Sequence, residues 1–126
     1  MFECSDELFD SYVVEAYNKL PKSFLKKIDN VEIVVEERSE NFSNQFLLGL
    51  YSGVPVKYRN TSYGMYPITP DIIRLFKRNI CRVVHTEIQL KSKIFEVLYH
   101  EIGHYFGMNE EEIRNSMQNF RLELFE

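Results

Sequence analysis

Tryptophan is absent from the 126 residues, and cysteine, proline and glycine number only two, four and five. Cys4 and Cys81 are far apart in sequence and in no CxxC pattern, and both read as reduced thiols. No internal repeat, low-complexity segment or Pro/Gly/Ser-rich linker divides the chain, and its length suits one domain, 1–126. Long apolar runs are missing too. A run such as Phe46-Leu47-Leu48-Gly49-Leu50-Tyr51 is far shorter than the ~20 residues a membrane-crossing helix needs. The first residues, Met1 to Glu7, have neither the basic patch nor the apolar stretch of a signal peptide, so the expectation is a cytoplasmic protein with no membrane partner. Nor is there an excess of positive charge: 15 Lys and Arg against 19 Asp and Glu leave a net charge of −4, with no basic stripe for nucleic acid. What is present is a globular balance, 44% hydrophobic and 27% charged, in a chain long enough to bury a core without staples.

Residues 6–20 have apolar side chains at Leu8, Phe9, Tyr12, Val13, Ala16, Tyr17 and Leu20, which is helical spacing. Ser5 caps that helix, Asp6 and Glu7 suit its positive end, and Pro21 stops it. Val31 to Glu36 is β-branched and reads as a strand. Phe46 to Tyr51 is a second apolar run, closed by the Ser52-Gly53 turn and Pro55. Residues 52–70 form a long excursion with a short hairpin. Asp71 to Phe76 reads as a further strand, with helix as the competing period, and Ile80 to Val84 extends it or turns back beside it. Thr86 and Gln89 make a capping box opening a helix to about Phe106, whose apolar face is Ile94, Val97, Leu98, Ile102 and Tyr105. Gly107 ends it, and Asn109 with Glu112 opens a last helix to about residue 123.

Near the end of the well-signalled helix stands His100-Glu101-Ile102-Gly103-His104, an HExxH pattern. Residues four apart on a helix stand one above the other, so both imidazoles can reach one ion. Glu101 is rotated by ~100° about the axis and can hold a water beside the metal. Zinc lowers the pKa of such a water towards ~7, and the carboxylate takes the proton. Catalytic zinc takes three protein ligands. Gly107 lets the chain turn sharply, and Glu110, three residues on, can swing back to complete HExxHxxGxxE; Glu111 and Glu112 are its rivals. A carboxylate such as Glu101 within an apolar arc is costly without a partner, which favours the metal reading over a solvated surface pattern.

With these residues in hand, the chain resembles the minimal zincin family, small bacterial proteins that carry HExxHxxGxxD near the C-terminus. Leu20-Pro21, Val31 to Glu36, Leu47 to Pro55 with Arg59, and Pro70 to Phe76 resemble family segments in the same order. The resemblance implies zinc ligands at His100, His104 and Glu110, with Glu101 as the general base. It also implies an α+β fold in which a small mixed sheet packs on the HExxH helix, with N-terminal and C-terminal helices and an edge strand bordering the cleft. Along that edge a peptide or protein substrate lies as an added strand. Glu110 stands where the family has Asp, one methylene longer. Peptide deformylases also carry HExxH but need an EGCLS-like Cys segment that Asn79 to Val83 does not match, and the three-His ribosomal-RNA maturation metalloproteins lack the Glu.

Two functions compete: a peptidase using one Zn2+, and a zinc-containing peptide-binding protein without significant turnover. Of the remaining candidates, His85 lies roughly 20 Å down the helix from His100 and reads as a loop residue beside a cap. Tyr63 and Tyr66 could reach a cleft but read as packing or surface residues. Arg59 pairs with a nearby acid or binds a substrate carboxylate, and Leu47 to Pro55 reads as a buried strand and tight turn.

Overall fold

The computed structural model describes residues 1–39, 45–59 and 69–124. It is a mixed α+β fold, with five α-helices and a three-stranded sheet among the described residues. α1, Asp6–Asn18, starts where Ser5 Oγ accepts from the Leu8 amide at 3.1 Å, and buries Phe9, Tyr12, Val13 and Ala16. Pro21 then opens a second, short helix, α2, Lys22–Lys27, that the hydrophobic pattern does not signal. Its Phe24 ring lies 5.0 Å from Tyr99 and 5.1 Å from Phe106, so tertiary packing carries this six-residue helix.

The strands are β1, Val31–Glu36, β2, Gly49–Ser52, and β3, Asp71–Phe76, in the order β1-β3-β2. β3 is central, parallel to β1 with Ile33 opposite Ile73, and antiparallel to β2 with Tyr51 opposite Ile73. Ile73 and Leu75 are wholly buried. A single 3-10 turn, Val56–Tyr58, follows β2. The expected hairpin in 52–70 lies largely outside the described residues, and Tyr63 and Tyr66 both lie outside them.

Ile80 to Val84 neither extends β3 nor returns beside it. The chain passes directly from β3 into a helix, α3, Lys77–Arg82. Asn79, Ile80 and Cys81 are buried there while Val83 is exposed, so the β-branched letters misled because a six-residue segment cannot display its period.

α4, Glu87–Phe106, is the spine of the molecule, and buries Leu90, Ile94, Leu98 and Ile102 against α1, the sheet and α5. Thr86 Oγ1 accepts from the Gln89 amide at 3.1 Å as expected, but Gln89 Oε1 reaches past Thr86 to accept from the His85 amide at 2.8 Å. The helix ends in a Schellman turn. Gly107, at φ 90°, donates to His104 O at 2.9 Å, and Met108 donates to Gly103 O at 3.0 Å. α5, Glu110–Leu124, begins at once with a reciprocal box: Asn109 Oδ1 accepts from the Glu112 amide at 2.8 Å, and Glu112 Oε1 from the Asn109 amide at 3.0 Å.

Candidate metal centre

His100 and His104 stand one turn apart near the end of α4, with ring centroids 4.6 Å apart and planes at 88°. The sharp corner from α4 to α5 brings Glu110 back over them. Glu110 Oε2 lies 2.6 Å from His100 Nε2, and Glu110 Oε1 lies 3.0 Å from His104 Nε2. One carboxylate thus spans both Nε2 atoms. Of its two rivals, Glu112 is taken up by the Asn109 cap and Glu111 is exposed on the first turn of α5.

Glu101 reaches His100 from inside the fold. It is 6% exposed, and its Oε2 lies 2.9 Å from His100 Nδ1. Between them the two carboxylates hold both nitrogens of one imidazole. In the metal-free chain His100 is pushed up to about 9, by the hydrogen bond to Glu101 first and that to Glu110 second, against the opposing effect of burial. The same contact with His100 holds the Glu110 carboxyl below its usual range.

The donor set fits a divalent cation. His100, Glu101 and His104 each offer a ligand atom within 4.8 Å of the others. Glu101 and Glu110 could each supply the third ligand, but they address different atoms. Glu101 fixes the His100 ring through Nδ1 and leaves Nε2 to a metal, whereas Glu110 spans the two Nε2 atoms that such an ion would share. Two imidazoles and a carboxylate form a ligand set that zinc accepts readily.

Two cavities flank this centre. One, of about 700 Å³, includes His100, Glu101 and Glu110 in its wall; the other, of about 360 Å³, includes His104 and Glu112 with Tyr51, Lys57 and Tyr58. β2 closes on the larger cavity because Gly49 has no side chain. A Cβ there would lie 2.6 Å from Val97 Cγ1 and 3.2 Å from Glu101 Cγ. Leu47 and Leu48 line this cavity and are anchored from behind, Leu47 O accepting from Asn79 Nδ2 at 2.7 Å and Leu48 O from the Phe76 amide at 3.0 Å.

The Leu47 to Pro55 segment therefore does more than the sequence suggests, since its first residues form cavity wall as well as strand. Arg114 and Met117, which sequence reasoning did not single out, line the cavity from α5. Their spacing of four and seven from Glu110 was the available signal. Arg59 pairs with Asp71 at 2.7 Å, and Asp71 also accepts from the Tyr51 hydroxyl at 2.6 Å, so that arginine is engaged within the fold. His85 sits at the far end of α4, its Nδ1 3.1 Å from the N-terminal amine.

A family model described as zincin-like metallopeptidase matches residues 28–118, a span running from before β1 into α5 with every residue of this centre inside it. The chain belongs to the zincin-like metallopeptidase family. Zinc binding is a general property of zincin-like metallopeptidases. Among solved structures, a conserved hypothetical protein from Thermus thermophilus is similar, with a TM-score of 0.53 and 18% sequence identity over 82% of this chain and 94% of that one. At that identity the likeness is one of fold. No curated protein matches the chain. Among the described residues of this zincin-like chain, no helix is long and apolar enough to cross a membrane.

Proposed function

We propose that this chain is a zinc-dependent peptidase of one domain, in which His100, His104 and Glu110 hold a single zinc ion and Glu101 is the general base. The observation that carries this reading is the convergence of Glu110 on both Nε2 atoms while Glu101 holds Nδ1, all beside one cavity. When bound, zinc supplies Lewis acidity that polarises a carbonyl oxygen and brings the acidity of water close to neutrality.

The remaining work falls to the chain's own side chains. Glu101, fixed by His100 and backed by Gly49 and Val97, takes a proton from the attacking water and returns it to the leaving amine. β2 lies at the edge of the sheet, and no strand among the described residues pairs with its outer side. An extended peptide or protein segment can hydrogen-bond there, which sets the scissile bond beside the metal centre. Cys4 and Cys81, both free thiols, suit a reducing compartment such as the cytoplasm.

A second reading, a zinc-containing peptide-binding protein without significant turnover, draws on the burial of Glu101. One of its oxygens is held by His100, so only the other is available to water. Glu101→Gln separates the two. Under the peptidase reading, cleavage of a mixed peptide library falls by about a hundredfold or more while zinc content is unchanged. Equal cleavage by the variant and the parent removes Glu101 from the mechanism. His104→Ala should lose the zinc itself in a metal analysis of the purified protein.

A further inference from the structure

The larger cavity follows α5 away from the imidazoles. Glu110, Ile113, Arg114, Met117 and Arg121 all line it, a stripe with helical spacing along one face. From Glu110 to Arg121 is about 16 Å at a rise of ~1.5 Å per residue, the reach of an extended peptide of about five residues. The wall is chiefly apolar, built by Leu47, Leu48, Val97, Ile113 and Met117. Charge enters from Glu96, Glu101, Glu110, Arg114 and Arg121. Glu96 on α4 already faces cations, with Lys93 at 3.5 Å and Arg121 at 3.9 Å. Arg114 is exposed, stands one turn from Glu110, and forms no ion pair among the described residues.

We propose that this cavity selects peptides in which a large apolar side chain beside the cleaved bond is followed, within a few residues, by a carboxylate that meets Arg114. The location of the cleaved bond rests on the peptidase reading; the selectivity goes beyond it. The apolar wall gives a leucine-sized side chain a place out of water, worth about tenfold or more in affinity. The guanidinium of Arg114 presents a planar fork that matches a carboxylate. The carboxylate can come from a chain terminus or from an Asp or Glu side chain.

Calorimetric titration of the Glu101→Gln chain in the presence of zinc reads binding without cleavage. Short peptides carrying leucine or serine at one position are compared as free acids and as C-terminal amides, with a further amide carrying an internal Glu. The leucine acid should bind about tenfold more tightly than the serine acid and about fivefold more tightly than the leucine amide. Arg114→Gln should erase the acid-over-amide difference and keep the leucine preference and the zinc content, while Met117→Gln should narrow the leucine preference alone. Tight binding of the Glu-containing amide supports a side-chain carboxylate, and binding of the free acid alone supports a terminus. Equal binding of leucine and serine peptides overturns the proposal, as does an acid preference that survives Arg114→Gln, or no binding of any peptide. Cleavage by the unsubstituted chain is scored separately. Selective binding without cleavage defeats only the peptidase reading, and cleavage without selectivity defeats only this one.

Discussion

His100 is gripped at both ring nitrogens, and the two contacts have separable consequences. Glu101 at Nδ1 would orient the ring for metal binding through Nε2. Glutamine at position 101 keeps an acceptor there, whereas alanine removes it. Glu101→Ala should therefore lower zinc affinity by about ten- to a hundredfold in a chelator competition, and Glu101→Gln should not. The same contacts govern the metal-free chain. His100 is raised from 6.5 to about 9, so its contribution to stability is complete below pH 6.5 and is lost as pH rises through about 9. Glu110 is lowered from 4.5, so its contribution is present above pH 4.5 and is lost as pH falls through its lowered value. Thermal melts in chelator should show stability falling from pH 6.5 towards 9, and His100→Gln should flatten that fall. A parent curve as flat as the variant's would mean that the paired contacts do not persist in solution. At this scale the sequence was legible where the site is local. His100, Glu101 and His104 share one helical turn, and Gly107 announces the corner that returns Glu110. Leu47, Leu48 and Gly49 were not legible as cavity wall, because only sheet packing brings them to α4 from far away in sequence.

The elements themselves depend on two close approaches that helix and strand patterns do not reveal. Glycine inside a helix is unfavourable by about 1 kcal/mol relative to alanine, and Gly103 lies within the motif helix all the same. A Cβ at Gly103 would meet Ile113 Cγ1 at 2.6 Å and Cδ1 at 2.9 Å, so the missing side chain is what lets α5 lie close against α4. Gly103→Ala should gain in helix propensity yet lose about 1–3 kcal/mol to overpacking, as read by denaturant unfolding. Ile113→Ala should relieve that clash, making the double variant less destabilised than the sum of the single changes. Additive losses would place the strain elsewhere. The second approach is β2 against α4 at Gly49, where Val97 and Glu101 fill the space a side chain would take. Capping chemistry made α1, α4 and α5 readable, since Ser5, Thr86 and Asn109 each accept from an amide three residues on. The two short helices lacked that signal. Neither α2 nor α3 has a side-chain cap, and each is held by what it buries, Phe24 in one and Asn79, Ile80 and Cys81 in the other.

Across the whole molecule, the apolar core and the metal centre are neighbours with separate supports. Phe9, Leu75, Ile80, Leu90, Ile94 and Leu98 are wholly buried. They join α1, β3, α3 and α4 without using any of the three proposed ligands, and His100, His104 and Glu110 remain partly or largely exposed at the rim. A chain that gains its core from packing needs no metal to fold, unlike a small zinc finger whose binding energy is its folding energy. Chelation should therefore leave the far-ultraviolet circular dichroism of the protein unchanged. Zinc would still add stability by binding only the folded state, about 2.7 kcal/mol at a hundred times its Kd. For a chain of this size that corresponds to a rise in Tm of roughly 10 °C. His104→Ala should melt at one temperature with or without zinc, because one of the two imidazoles on Glu110 is gone. Loss of helical signal on chelation alone would show that α4 and α5 depend on the ion to hold their corner, and the core would then be too weak to stand without it.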